Sequence, residues 1–463
     1  MVPKKGQTLV LEIEDLAFRG RGLARVEGFT VFVDRALPGD RVEARIYRKK
    51  KNYAEARVLD ILRPSADRVE APCRYSGYCG GCTLQALAYE KQIFYKRRHV
   101  AESLAHIGLL RDVPVHPTRA SAQVFGYRNK MEFSCSDRRW LLPEELGRDD
   151  VSMGMALGLH VPGTFHKVLD IAACLIQPDM GNAILGHVRE YIRASHLPVY
   201  GLRSHEGFWR FVMLRHSASD DSWMVNLVTQ TLDRDAVQPL ADTLREAFPR
   251  VVSVVNNVTA RKAGIAVGEF EVCLAGLPVI TDRIGDLEFE ISANSFFQTN
   301  TRGAETLYGI VRDYAGLGGD ETVVDLYCGT GTIALFLAAG AREVIGVEQV
   351  AEAVADARRN RRRNRIDNCR FMAGDAGEVL AQLDVRPQVM VIDPPRAGMH
   401  AKVLARVMDL APERIVYVSC NPATLARDLA LMVETYEVAE VQPVDLFPHT
   451  YHVESVARLE KRS

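Results

Sequence analysis

The sequence predicts an α/β protein whose C-terminal part, residues 280–463, is built on a doubly wound parallel sheet. Three observations carry that prediction. Apolar, β-branched runs alternate with helical stretches from about residue 320 onward. One run, Val323-Val324-Asp325-Leu326, passes directly into a glycine turn, Tyr327-Cys328-Gly329-Thr330-Gly331, before a helix. Two further runs end in chemically distinctive residues, Asp393-Pro394-Pro395-Arg396 and Ser419-Cys420-Asn421-Pro422. Open α/β sheets bind ligands at the carboxyl ends of their strands, so these three ends mark a site.

The expected elements of this part run in order. Ser292-Ala293-Asn294-Ser295-Phe296-Phe297-Gln298-Thr299-Asn300 leads into a helix at 301–315, followed by strand 322–327 and helix 332–339. Strand 343–348, helix 350–364 and strands 369–373, 388–393 and 414–420 follow, with Pro422 stopping the last. Residues 441–446 and 453–459 read as an antiparallel hairpin at the sheet edge.

Residues 1–62 read as a small barrel of about five short strands. Leu9, Leu11 and Ile13 alternate with Glu12 and Glu14, and Val42, Ala44 and Ile46 alternate with Arg41, Glu43 and Arg45. Such OB-like barrels are common nucleic-acid platforms, and the segment resembles the TRAM domain of RNA-modifying enzymes. Residues 63–279 form the expected central α/β domain. They open with Cys73, Cys79 and Cys82, spaced C-x5-C-x2-C around Gly77, Gly80 and Gly81, then a helical stretch at 84–110. Three closely spaced thiols in a reducing compartment point to metal. Zinc and an iron–sulfur cluster both want a fourth ligand, for which Cys135, Cys174 and Cys273 all stand open.

Nine cysteines in a chain of 463 residues do not suggest a disulfide framework. No run of about 18 apolar residues appears, which argues against a membrane span. The N-terminal residues lack a signal-peptide core, so the expected location is cytoplasmic. Net charge is −1, which excludes a general polycation. Two basic blocks, Arg45–Lys51 and Arg358–Arg365, nonetheless favour a polyanionic partner. No obligate protein partner is evident.

The glycine turn has only G-x-G, and no lysine-bearing phosphate loop accompanies it. Glu348, at the next strand end, suits a ribose, and Asp375, past the third, suits an adenine. An adenosyl cofactor without phosphates, S-adenosylmethionine, fits best. A thiol such as Cys420 is needed where the methyl acceptor is an unactivated pyrimidine carbon, because addition at C6 makes C5 nucleophilic. Loss of the C5 proton then needs a base. Glu454 is an acidic residue in an otherwise apolar strand, where a carboxylate is used or paired.

At Asp325–Gly331, Asp393–Arg396, Ser419–Thr424 and His452–Glu454 the sequence resembles the RNA uracil-5-methyltransferase family, most of all its 23S rRNA (uracil-5-)-methyltransferase group. The resemblance implies a class I S-adenosylmethionine-dependent methyltransferase (Rossmann-like) domain. Cys420 would be the nucleophile and Glu454 the base, with Gln298, Tyr327, Thr332, Glu348, Asp375 and Asp393 on the cofactor. Phe296 would stack on the flipped uracil, and Asp393 would also lie near it. A [4Fe–4S] cluster would be held by Cys73, Cys79, Cys82 and, by position, Cys174. Barrel and cluster together point to RNA, specifically 23S rRNA, over tRNA. Two rivals remain: an amino-methyltransferase sharing the Asp-Pro-Pro-Arg turn, and a non-catalytic RNA-binding factor.

Overall fold

The computed structural model describes residues 3–262 and 264–462. The N-terminal strands are β1 (Thr8–Glu12), β2 (Asp15–Ala17), β3 (Arg21–Val26), β4 (Phe29–Asp34), β5 (Arg41–Lys49) and β6 (Tyr53–Arg63). They form one sheet in the order β1-β5-β6-β4-β3-β2, six strands where five were expected. The additional one, β2, is three residues long, too short to leave a period in the sequence. The alternation is real: Leu11, Ile13, Val42, Ala44 and Ile46 all face a common core.

Helix α1 (Tyr89–His106) follows the cysteine-bearing segment and is shorter than the 84–110 stretch that suggested it. The central sheet comprises β7 (Lys130–Ser136), β8 (Ala156–His160), β9 (Val168–Asp170), β10 (Trp209–His216), β11 (Trp223–Thr229), β12 (Val251–Val258) and β13 (Phe270–Gly276), in the order β13-β12-β11-β10-β7-β8-β9. Helices α2 (Asp179–Ala194) and α3 (Arg234–Ala247) cover one face. A hairpin, β14 (Val279–Ile284) and β15 (Leu287–Ser292), packs instead into the core of the C-terminal domain.

That domain holds α4 (Thr301–Ala315), β16 (Thr322–Leu326), α5 (Thr332–Leu337), β17 (Glu343–Glu348), α6 (Ala351–Arg363), β18 (Cys369–Ala373), α7 (Ala376–Ala381), β19 (Val389–Ile392), α8 (Ala401–Leu410), β20 (Arg414–Ser419), α9 (Pro422–Ala430), β21 (Tyr436–Val444) and β22 (Glu454–Lys461). The sheet order is β18-β17-β16-β19-β20-β22-β21. The first five strands are parallel and β22 runs antiparallel between β20 and β21. The expected antiparallel hairpin stands at the sheet edge, with β21 outermost and β22 beside the strand that ends at Cys420. Pro422 does not merely stop that strand. It occupies the first turn of α9, capped by the Asn421 side chain, which accepts from Ala423 N at 3.1 Å. Strand order reverses between β16 and β19, which opens a crevice at their carboxyl ends. On the far face α1 packs through Val100 and Leu104 near Leu425 and Leu429 of α9.

Candidate active site

A cavity of about 1320 Å³ opens over that crevice and reaches the central domain. Tyr327, the first residue past β16, sits at φ 66°, a left-handed conformation unusual for a tyrosine. Gly331 (φ 78°) must lack a side chain, since a Cβ there would meet the Phe371 ring at 2.7 Å and Ala357 at 2.9 Å. Glu348, at the end of β17, accepts from Gly329 N (3.1 Å) and Val350 N (2.8 Å), which fixes its carboxylate beside the turn. Thr332 Oγ1 lies 2.8 Å from Tyr308 Oη. Gln298, Tyr327, Thr332, Glu348 and Asp393 all line the cavity.

The electrostatics of this wall ask for a cation. Asp325 is fully buried, and neither carboxylate oxygen finds a full hydrogen bond among the described residues. Burial, then the neighbouring charge of Asp393 and Glu348, holds its pKa well above the carboxylate range. Burial raises Asp393 to about 7. A ligand bearing a sulfonium and an ammonium would relieve this cluster, so the residues present fit S-adenosylmethionine.

Cys420 and Glu454 meet by register. Strands β20 and β22 pair antiparallel with Ser419 opposite Ser455, so the next step places Cys420 opposite Glu454 at the open end of the ladder. Both line the cavity. Burial, with Asp393 adding, pushes Glu454 up to about 8, and Arg396 opposes the shift. Burial, then Glu454 and Asp393, pushes the Cys420 thiol up to about 11, again opposed by Arg396. The charge of Arg396 thus acts on both reacting groups. The sequence displayed it in the Asp-Pro-Pro-Arg turn, but only the structure shows which groups it faces.

Phe296 is 65% exposed on the loop between β15 and α4, an apolar ring held at the cavity mouth. That loop is tightly fixed. Arg215 of β10 donates to Ala293 O at 3.1 Å and to Ser295 O, Ser295 Oγ donates to Asp356 at 2.5 Å, and Thr330 Oγ1 donates to Phe296 O at 3.1 Å. Arg215 and Asp356 gave no signal in the sequence, because their partners in this loop are 61 or more positions away.

Cys73, Cys79, Cys82 and Cys174 line the other end of the same cavity, and every one of them is a free thiol. Their charges act on one another in every pairing, and burial raises all four, Cys79 and Cys82 to about 12. Gly81 N donates to Cys79 Sγ at 3.3 Å. Cys135 lies buried in β7, away from this group, and Cys273 faces outward on β13. Of the three cysteines left open by spacing, Cys174 is the one that lines the cavity with Cys73, Cys79 and Cys82. Among the described residues, no three His, Cys, Asp or Glu side chains are placed to hold a single metal ion. The donor set, four thiols with a backbone N–H aimed at sulfur, fits a thiolate-held cluster.

The Asp375 carboxylate caps α7, accepting from Gly377 N (2.9 Å) and Glu378 N (3.2 Å), and its charge acts on Tyr327 of the cavity wall. The basic block on α6 is largely spent inside the protein. Arg358 and Arg361 donate to Phe371 O and Cys369 O, Arg359 pairs with Asp356, and Arg363 pairs with Glu288 and Glu290. Lys49, Lys50 and Lys51 at the β5–β6 tip are exposed and carry no ion pair among the described residues.

Strand order, glycine turn and acidic strand ends define an S-adenosylmethionine-dependent methyltransferase domain. Comparison with known proteins narrows this. The tRNA (uracil-5-)-methyltransferase family model matches residues 233–462, and the TRAM domain model matches residues 3–59. An uncharacterized RNA methyltransferase of Chlorobaculum tepidum is 44% identical over 469 residues, spanning 99% of this chain and 97% of its own length. Another from Porphyromonas gingivalis is 41% identical over 466 residues, spanning 98% of this chain and 100% of its own. Among solved structures, the Pyrococcus abyssi tRNA (uracil-54, C5)-methyltransferase in complex with S-adenosyl-L-homocysteine superposes with a TM-score of 0.74 at 28% identity, covering 97% of this chain and 100% of that one. The chain belongs to the RNA (uracil-5-)-methyltransferase family and is an S-adenosylmethionine-dependent enzyme.

Proposed function

We propose that the chain methylates C5 of a specific uridine in 23S rRNA. The observation that carries the chemistry is the Cys420–Glu454 pairing at the end of β20 and β22. Cys420, as thiolate, adds to C6 of the uracil, and the C5=C6 electron pair moves onto C5. C5 then takes the methyl group from the donor's sulfonium, leaving S-adenosylhomocysteine. Glu454 removes the C5 proton; that bond's electrons restore C5=C6 and expel the Cys420 thiolate. Phe296 stacks on the uracil after it leaves its helix, Asp393 sits between base and donor, and Gln298, Tyr327, Thr332 and Glu348 hold the donor. Asp375, at the N-cap of α7, faces the adenine side of the donor.

Cys73, Cys79, Cys82 and Cys174 would hold a [4Fe–4S] cluster, which when bound cross-links residues far apart in sequence. The barrel and Lys49–Lys51 would hold the RNA backbone. Free thiols and an RNA substrate suit a cytoplasmic setting. The choice of 23S rRNA rests on the sequence resemblance, which implies that barrel and thiol site together accompany the rRNA group. The likeness to an enzyme titled as acting on tRNA favours tRNA instead. Transfer of labelled methyl to unmodified 23S rRNA and unmodified tRNA, in parallel and with anaerobically purified protein, decides between them. Label in 23S rRNA, recovered as 5-methyluridine, is the expected result. Label in tRNA alone overturns the substrate, and label in neither favours a binding factor.

A further inference from the structure

The Glu454 carboxylate makes no hydrogen bond among the described residues, and its backbone pairs with Val444 of β21 at the start of β22, so the 445–453 connection that joins those two residues bears directly on where the carboxylate sits. That connection is held at His449 by the cysteine-bearing loop. Thr83 N and Leu84 N each donate to His449 O at 2.9 Å, and Thr83 directly follows Cys82. Gln92 of α1, fully buried, joins the same two segments. Its amide oxygen accepts from His449 N at 2.9 Å. Its amide nitrogen donates to Leu84 O at 3.0 Å and lies 3.2 Å from His449 Nδ1. His449 itself is at φ 66°, with its ring stacked on Phe125 at 4.3 Å. A non-glycine residue keeps such a conformation only while its partners impose it.

We propose that Gln92 and His449 form a latch through which the four-thiol loop positions Glu454; this rests on the reading of Glu454 as the base. Bonds from Cys79 and Cys82 to a cluster would fix Thr83 and Leu84, these fix His449, and His449 fixes the connection. Gln92 and His449 are positioning residues, since neither touches the reacting atoms. Formation of the Cys420–C6 bond and methyl transfer to C5 both precede use of the base. Loosening the latch therefore slows one step: breaking the C5–H bond, whose electrons restore C5=C6 as the S–C6 bond breaks and the proton passes to Glu454. RNA already methylated at C5 then accumulates while still bonded to Cys420.

The test compares Gln92→Met with Glu454→Gln on RNA containing the target uridine. The latch predicts that Q92M loses at least tenfold in kcat and keeps kcat/KM for RNA within twofold, so that KM falls along with kcat. It also predicts that Q92M accumulates a denaturation-resistant, methylated protein–RNA adduct, as E454Q does. In the wild-type protein, removing iron by chelation should raise hydrogen exchange of the 445–453 backbone at least tenfold. Phe125→Leu, which removes the stacked ring and no buried hydrogen bond, should give the same loss of kcat at unchanged kcat/KM if Q92M is recovered unfolded. Unchanged kcat in the variant, adduct formation slowed along with turnover, or exchange indifferent to iron removal overturns the latch. If E454Q itself accumulates no adduct, the base assignment falls and the latch with it.

Discussion

Replacing Glu454 by glutamine is expected to stabilise the protein in alkaline solution while ending turnover. Glu454 is 7% exposed, and burial holds its pKa at about 8 against an ordinary 4.5. Between those values the folded chain keeps a proton that the unfolded chain has released. Stability therefore falls as pH rises through that window, the reverse of an ion-paired carboxylate. Each pH unit of separation is about 1.4 kcal/mol, so the whole window bounds the cost at roughly 5 kcal/mol. Asp393, held at about 7 in the same cluster, shares the burden. Roughly 2–3 kcal/mol then falls to Glu454. Glutamine has the same shape and no charge, so Glu454→Gln gains almost nothing near pH 4.5 and roughly that amount at pH 9. In a domain of about 200 residues this is a midpoint rise on the order of 5–10 °C. Thermal unfolding of both proteins at pH 5, 7 and 9 measures it. A variant less stable than wild type at pH 9, or a difference that does not grow with pH, refutes the reasoning.

Three other outcomes are expected. Cys420→Ala should abolish turnover and covalent trapping on 5-fluorouridine RNA while donor affinity, read by calorimetry, stays within twofold. Gly331→Ala places a methyl 2.7 Å from the Phe371 ring at a left-handed φ. It should cost about 2–3 kcal/mol of stability and at least tenfold in donor affinity, read by urea unfolding and the same calorimetry. Replacing Lys49, Lys50 and Lys51 together by alanine should make the log–log salt dependence of RNA binding shallower by about 2–3, with donor affinity unchanged.

Much of the site was legible because its residues sit where strands end, and strand ends announce themselves. Cys420 after Val416-Tyr417-Val418, Asp393 before two prolines, and Glu348 at the end of a β-branched run all stand at breaks in periodicity. Helices α7, α8 and α9 were not read: α7 has six residues, and α9 begins at an Asn-Pro pair that stops a strand as well as it caps a helix. The pairing of Cys420 with Glu454 was a chemical expectation rather than a spatial one, since only the antiparallel insertion of β22 brings the two together. The capping role of Asp375 went unread because a carboxylate after a strand serves equally as ligand contact or N-cap. The arginines of α6 misled because charge runs are counted in sequence, whereas their partners Glu288 and Glu290 lie across the fold on β15.

The anchoring of the 445–453 connection on α1 bears on how the protein is made. Lys96, 1% exposed, is bound to Asp445 at 2.6 Å and to Phe447 O at 3.0 Å, and Tyr89 Oη reaches Asp445 at 2.9 Å. These partners lie about 350 positions downstream. At ribosomal speeds of roughly 5–20 residues per second, α1 waits on the order of 20–70 s for them. An apolar surface left bare for that long would invite aggregation. The Val100–Leu104 stripe waits as long for α9, but along this seam a lysine, a tyrosine hydroxyl and the Gln92 amide stay hydrated until their late partner docks. The polar character of this buried seam thus serves the unfinished chain as well as the finished enzyme.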